Sequence, residues 1–434
     1  MRLGGRLSAA IEILDDIEAR RRPVADALKD WGLSHRFAGS GDRAAIGNLV
    51  YDVLRWRSSL GWVMGSSASR ELVLGLVALR WQLGAEELNA RLADDSHAPA
   101  PLSEAENARL GAADLSAAPA LVQADIPEWL VPSFERALGE GWVGEAAALS
   151  FRPPLDIRVN RLKSGRDKVL KALSRFGAAE TPFSPDGLRI PPTAGEGRHP
   201  NVQVEPAFQK GWFEIQDEGS QIGALMAGAK PGEQILDLCA GGGGKTLALA
   251  AITGNKGQVL ATDNDRSRLA PIFKRLKRAG TRNVQVREAG ASLDDLKGRM
   301  DLVLIDAPCT GTGTWRRRPD AKWRLTERAL SERVAEQSAL LVAAAPHVKP
   351  GGRLVYVTCS LLPEENEDQV SAFLDAEPTF RLMEPESLWS AAISGPAPEG
   401  TFVAIGEAGR ATRMTPGRHG TDGFFVAVMQ RRAG

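Results

Sequence analysis

From Gln234 onward, short apolar runs alternate with helix-length segments, and that alternation constrains the fold more than any other feature of the chain. Gln234-Ile-Leu-Asp-Leu reads as a strand, Thr246-Leu-Ala-Leu-Ala-Ala-Ile as a helix, and Gln258-Val-Leu-Ala-Thr-Asp as a strand again. A helix follows around 269–278, and then come the strand-like runs Val284-Gln-Val and Asp301-Leu-Val-Leu-Ile-Asp. A long helix is predicted over 326–345, before the strand Arg353-Leu-Val-Tyr-Val-Thr. Strands that take turns with helices pair through crossovers rather than hairpins, which predicts a parallel sheet covered on both faces. Gly423-Phe-Phe-Val-Ala-Val-Met predicts a last strand after a long irregular segment. The expected architecture over 226–434 is an open, doubly wound, Rossmann-like α/β domain.

The 434 residues exceed the roughly 250–300 at which one hydrophobic core stops growing, so more than one domain is expected. Upstream the pattern is helical. Leu7, Ala10, Ile11, Leu14 and Ile17 share one face, Ile46, Leu49, Val50, Val53 and Leu54 a second, and 72–92 carries a third. The stretch 93–125 is rich in Ala, Pro and Ser, and Pro127-Glu-Trp-Leu opens a helix continuing through Phe134 and Leu138. An all-α domain over 1–142 follows from this. Leu155-Asp-Ile-Arg-Val-Asn alternates as a strand among Pro, Gly and Ser, so a small α+β segment is expected over 143–225.

Hydrophobic content of 43% and charged content of 25% exclude a largely disordered chain. Three cysteines cannot form a disulfide framework, which points to a reducing, cytoplasmic setting. Five scattered histidines and no Cys-x-x-Cys make a metal site unexpected. No signal peptide and no bilayer-spanning run are legible, so no membrane partner is expected. Formal net charge is zero, so any case for nucleic acid rests on local patches. Oligomeric state is not legible, and a monomer is the default expectation.

The chemistry-bearing residues cluster at strand ends, where open α/β sheets build their sites. Asp237-Leu-Cys239-Ala240-Gly241-Gly242-Gly243-Gly244-Lys245 joins the first strand to its helix, and such a glycine run lets backbone approach a ligand. It resembles a phosphate-binding loop, yet Cys239 stands where that pattern needs its first glycine. A nucleotide hydrolase remains open, with Asp306 as the magnesium-side carboxylate. Asp237 would repel phosphates but could accept from an ammonium group. Asp263, 26 residues after Asp237, lies where a carboxylate grips ribose hydroxyls. Both carboxylates suit S-adenosylmethionine.

Cys309, in Asp306-Ala-Pro-Cys309, and Cys359, in Thr358-Cys359-Ser360, end two successive strand units, so both thiols could face one pocket. A thiolate is a strong soft nucleophile when its setting lets it ionise. A methyl donor beside a thiolate suits pyrimidine C5 chemistry: thiolate addition at C6 makes C5 enamine-like, and a base later removes the C5 proton. Asp306 is placed to assist at N3, and the target base must leave its stack. The residues alone do not rank the two cysteines.

From about residue 145 to the end the chain resembles the NOP/Sun family of RNA cytosine-C5 methyltransferases. The segments that carry the resemblance are the glycine loop, Asp-Ala-Pro-Cys-Thr-Gly-Thr-Gly, Arg-Arg-Pro-Asp-Ala-Lys-Trp, Val-Thr-Cys-Ser-Leu-Leu-Pro-Glu-Glu-Asn and Gly-Thr-Asp-Gly-Phe-Phe. The helical part resembles the NusB-like RNA-binding domain of the bacterial ribosomal RNA branch. The resemblance implies a class I methyltransferase fold, S-adenosylmethionine as cofactor, and an RNA substrate, 16S ribosomal RNA first and tRNA second. It implies Cys359 as the nucleophile, Cys309 as the release thiol and Asp306 on the cytosine. Cys239 to Lys245, Asp263 and Asp306 would then hold the cofactor. Two departures stand out. Gly241 and Gly242 replace the family's Ala and Pro, which predicts a looser loop, and Arg287-Glu-Ala-Gly290 lacks the aspartate that usually faces the adenine.

Trp315-Arg316-Arg317-Arg318-Pro-Asp-Ala-Lys322-Trp323 mixes cations with indoles directly after Cys309. It is the expected RNA-contact segment, with guanidinium groups on phosphates and tryptophans under bases. Lys274, Arg275, Lys277 and Arg278 at one helix end suit the helix dipole instead. A catalytically idle RNA-binding or assembly factor is the remaining alternative.

Overall fold

A computed structural model describes residues 1–433. The chain divides into two compact units. One gathers Met1–Pro153, Pro192–His199 and Trp315–Leu325; the other holds Pro154–Pro191, Pro200–Thr314 and everything from Thr326 onward.

The first unit is helical. Helix Leu3–Arg20 buries Leu7, Ala10, Ile13, Leu14 and Ile17, and helix Ser40–Arg55 buries Ile46, Leu49, Val50 and Val53. Those are the faces that the 3.6-residue period predicts. The helix expected over 72–92 is broken. Ser69–Gly75 runs into a π-turn over Leu76–Arg80, and the backbone turns left-handed at Gln82 (φ 59°) and Gly84 (φ 79°) before Ala85–Ala93 resumes. Two left-handed residues cannot continue a right-handed helix.

The unit's third segment comes from far downstream. Trp315 is fully buried and stacks on Phe134 with ring centroids 5.9 Å apart. Arg55 donates to the Arg316 carbonyl through Nε (3.1 Å) and a terminal nitrogen (2.8 Å), and the Trp323 indole donates to the Leu54 carbonyl at 2.6 Å.

In the second unit, β1 (Leu155–Val159), β2 (Ala179–Glu180), β3 (Gly187–Ile190) and β4 (Phe213–Ile215) form a small antiparallel sheet in the order β2-β3-β1-β4. Ile157, Val159, Leu188, Ile190 and Phe213 bury its inner face with Val169 and Leu173 from helix Arg166–Leu173. Buried carboxylates fix its attachment: Asp156 accepts from the Glu218 amide (3.0 Å), and Glu218 from the Phe183 and Ser184 amides (both 2.8 Å).

The main sheet has nine strands: β5 (Gln234–Asp237), β6 (Gln258–Ala261), β7 (Val284–Val286), β8 (Met300–Asp306), β9 (Val348–Thr358), β10 (Phe380–Leu382), β11 (Phe402–Ala404), β12 (Arg410–Met414) and β13 (Phe424–Arg431). Their order is β11-β12-β13-β9-β8-β5-β6-β7, with β10 pairing β13 off that path. Strands β5 to β9 are mutually parallel, and Asp237 lies opposite Ala261 on one side and Leu304 on the other. Because β5 is flanked by β6 and β8, its connections leave in opposite directions and open a crevice at the strands' C-terminal ends.

The parallel sheet expected from the strand–helix alternation holds for β5 to β9 and is extended by antiparallel strands on one side. β13 runs antiparallel to β9, and β10, β11 and β12 occupy the segment read as irregular. A continuous apolar run announces a strand buried on both faces but carries no sign of its direction. The missed strands are short, and Arg410-Ala-Thr-Arg-Met carries no clean alternation.

Candidate active site

The first wall of the crevice is the turn between β5 and helix Gly244–Ile252. Gly241 (φ 48°) and Gly243 (φ 81°) are left-handed, and a Cβ on Gly243 would stand 2.5 Å from Ile272 Cγ1. The loop is pinned rather than loose. The Ala240 amide donates to the Thr262 carbonyl (2.9 Å), Gly241 to Asp263 Oδ2 (2.9 Å) and Gly243 to the Ala240 carbonyl (2.8 Å), while Gly242 accepts from Arg275 at 2.7 Å. The sequence expectation of a floppier loop is thereby corrected: Arg275 and Asp263 supply the stiffness that the glycines lack.

Asp237 sits beneath this loop, buried. Its Oδ2 accepts from Thr246 Oγ1 at 2.6 Å, and its Oδ1 is buried without a partner. Burial pushes its carboxyl up to about 7, partly opposed by the Thr246 donor. An orphaned acceptor next to a glycine cradle fits a ligand that brings an ammonium group. Asp263 is nearly buried, with Oδ1 accepting from the Asp265 amide at 2.9 Å, so it braces the loop before it meets any ligand. Cys239 is no nucleophile. Burial first, then the charges of Asp237, Asp306 and Asp263, push its thiol far up, so it stays protonated.

The second wall is the end of β8 and the loop after it. Lys245 is buried and its Nζ pairs with Asp306 Oδ1 at 2.7 Å, joining the two walls. Asp306 lies opposite Val357 of β9, so the loops after these adjacent parallel strands start side by side. There Cys309 Sγ and Cys359 Sγ approach to 3.4 Å, and both residues are half-buried. The hydrogen bond to Cys359 holds the Cys309 thiol well above its usual range, with burial and the Glu365 charge adding to the effect.

A network that single residues did not announce holds these loops. Thr312 Oγ1 meets Ser360 Oγ at 3.1 Å and accepts from the Leu361 amide at 2.8 Å. Asn366 donates to the Ser360 carbonyl at 2.9 Å and accepts from Thr358 Oγ1 at 2.5 Å. Glu365 and Gln337, both fully buried, complete it. Pro-Glu-Glu-Asn after Cys359 was the available signal for Glu365 and Asn366; Gln337 had none, lying in the otherwise ordinary helix Glu327–Ala344. The Gly423 amide donates to the Gly313 carbonyl at 2.8 Å, and the two backbones lie so close that a Cβ on Gly313 would sit 2.2 Å from the Gly423 carbonyl oxygen. Only glycine fits there.

The expected RNA-contact segment is largely corrected. Lys322 is buried in the helical unit and donates to the Arg55 carbonyl (3.0 Å) and Ser150 Oγ (3.3 Å). Arg316 is buried, and the Trp323 indole is engaged with Leu54. Their amphipathic side chains fill helical packing instead of facing solvent. Arg318 is exposed and Arg317 half-buried, so these two remain accessible. Among the described residues, no helix is long and apolar enough to cross a membrane, and no group of three or more His, Cys, Asp or Glu could hold a metal ion.

Residues 224–430 match the family described as 16S rRNA methyltransferase RsmB/F, and residues 126–193 match a ferredoxin-like domain of RsmF/B-like methyltransferases. The probable ribosomal RNA small subunit methyltransferase B of Synechocystis is 34% identical over 315 residues, covering 71% of this chain and 67% of the relative. The solved structure of PH0851 is 25% identical and superposes with a TM-score of 0.72, covering 99% of both chains. A methyltransferase homolog protein from Pyrococcus horikoshii is 29% identical with a TM-score of 0.59, covering 74% of this chain and 100% of its own.

Proposed function

The chain belongs to the 16S rRNA methyltransferase RsmB/F family, and on that premise we propose that it methylates carbon 5 of a cytosine in small-subunit ribosomal RNA. The observation that carries the reading is the pair of thiols 3.4 Å apart beside Asp306. Cytosine C5 is a poor nucleophile until a thiolate adds at C6, and a second thiol beside the first can act on the adduct that forms.

S-adenosylmethionine supplies an electrophilic methyl group when bound. The chain's own residues fit it: Asp237 Oδ1 has no partner, Gly241 to Gly244 open the backbone, and Asp263 stands at the end of the neighbouring strand. Cys239, Ala240 and Lys245 complete that loop. Cys359 attacks C6, the role that the family resemblance gives it. Asp306 contacts the cytosine ring while Lys245 neutralises its charge. A solvent base takes the C5 proton, the electron pair re-forms the C5–C6 double bond as the C6–S bond breaks, and the Cys309 thiol, within reach of the Cys359 sulfur, protonates the departing thiolate.

A nucleotide hydrolase is disfavoured by the same loop. Its Gly241 amide already donates to a carboxylate, and Lys245 is held by Asp306 instead of facing a phosphate. An idle assembly factor has no use for a paired thiol site. The helical unit serves as a NusB-like RNA-capture domain in this reading, Arg317 and Arg318 are the accessible cations after the Cys309 loop, and the protein works in the cytoplasm.

Cys359→Ser is expected to abolish methyl transfer to small-subunit RNA while S-adenosylmethionine binding persists. Cys309→Ser is expected to accumulate a protein–RNA adduct that survives denaturing electrophoresis. Full activity of Cys359→Ser overturns the assignment, and bisulfite sequencing of RNA from cells lacking the protein names the target.

A further inference from the structure

Two identical side chains stand 3.4 Å apart at the centre of this site, yet the chemistry asks different things of them. One must ionise and the other must hold a proton until release. What distinguishes them lies in the loops around them, and the asymmetry is concentrated at one buried carboxyl.

Glu365 is fully buried. Its Oε1 accepts from the Thr310 amide at 2.8 Å and from Gln337 Nε2 at 3.0 Å, and its Oε2 meets Thr310 Oγ1 at 2.5 Å. Gln337 reaches on to the Pro308 carbonyl at 2.8 Å. The residues on both sides of Cys309 are therefore tied to one carboxyl, directly on the Thr310 side and through Gln337 on the Pro308 side. Cys359 is held differently: its carbonyl accepts from the Gly313 amide at 3.0 Å, and the Glu365 carboxyl reaches it on one side, through the hydroxyl of the following Ser360.

We propose that Glu365 is the positioning residue of the thiol pair: through Thr310 and Gln337 it fixes Cys309, and its charge favours the protonated form of that thiol. The titratable groups facing Cys309 are Cys359, Glu365 and, behind them, Tyr356, whose hydroxyl donates to the Glu365 carbonyl at 2.7 Å. Asp306, on the same loop, is already paired with Lys245. A carboxylate beside a thiol disfavours the thiolate, and four donors onto Glu365 (the Ser360 and Thr310 hydroxyls, the Thr310 amide and Gln337) favour its charged form against the burial that pushes its own carboxyl up. The roles given to the two thiols rest on the proposed methyl-transfer reaction; the proton assignment does not.

The test needs neither RNA nor cofactor. In a Cys359→Ser background, the pH dependence of Cys309 alkylation by iodoacetamide is followed by peptide mass spectrometry, with and without Glu365→Gln. Loss of the charge is expected to move the Cys309 midpoint down by about one pH unit. An unchanged midpoint in a protein that still melts cooperatively overturns the proposal. Glu365→Asp keeps the charge but withdraws it from Thr310. It is expected to leave the midpoint in place while lowering kcat with KM unchanged and accumulating adduct; wild-type turnover in this variant removes the positioning half. A shifted midpoint without any RNA methylation would retain the proton assignment and overturn the substrate reading instead.

Discussion

Asp237 ties cofactor affinity to pH. Its carboxyl is buried, has one unpartnered oxygen and titrates at about 7, far above an exposed aspartate. A ligand ammonium group favours the ionised form, so binding below that value must first remove a proton. For one such group, apparent Kd grows with the protonated fraction. Between about pH 7 and about pH 5.5 it rises roughly fifteenfold, or about 1.6 kcal/mol, while an α-amino group stays cationic throughout. Isothermal titration of S-adenosylmethionine at the two pH values reads this directly. Asp237→Asn is expected to bind more weakly at pH 7 and to show no such rise. The stability of the free protein carries the opposite sign. A carboxyl raised in the folded state stabilises below the unfolded value of 3.8, and that contribution is lost as pH climbs through about 7. A wild-type Kd that is flat across the interval refutes the placement of Asp237 against the cofactor's amino group.

Gly243→Ala is expected to cost about 2–4 kcal/mol in urea unfolding, because its Cβ meets Ile272 at 2.5 Å on a left-handed backbone. Lys322→Met is expected to hold or raise stability at neutral pH by up to about 2 kcal/mol. Burial lowers the Lys322 ammonium to about 8 from 10.5, so the wild type gains stability as pH rises between those values and the variant does not; urea melts across that range measure the difference. The paired serine variants at Cys359 and Cys309 separate attack from release by adduct formation alone.

The parallel half of the sheet and the strand-end thiols were legible because their signals are local. A β-branched run marks a strand, and a cysteine just past its end points to the crevice. The glycine loop was readable in composition but not in stiffness, since Asp263 and Arg275 pin it from two other elements. Nothing in Trp315 to Trp323 distinguishes a solvent-facing cationic loop from one whose stems are buried. Burial of Lys322 depends on carbonyls near residue 55 and the Ser150 hydroxyl, which no window of sequence can contain. The antiparallel strands failed for a similar reason: direction is a property of the connection, and theirs is long.

The Gly313–Gly423 contact bears on the order in which the enzyme can become active. Every reactive side chain precedes residue 366, yet the loop carrying Cys309 is closed by an amide that lies just before the final strand, donated from Gly423 to the Gly313 carbonyl. A chain still emerging from the ribosome thus carries both thiols without the brace that sets them. Chemical competence arrives only with the last strand, so a shortened product that keeps every reactive residue but lacks Gly423 leaves the thiol loop unfastened.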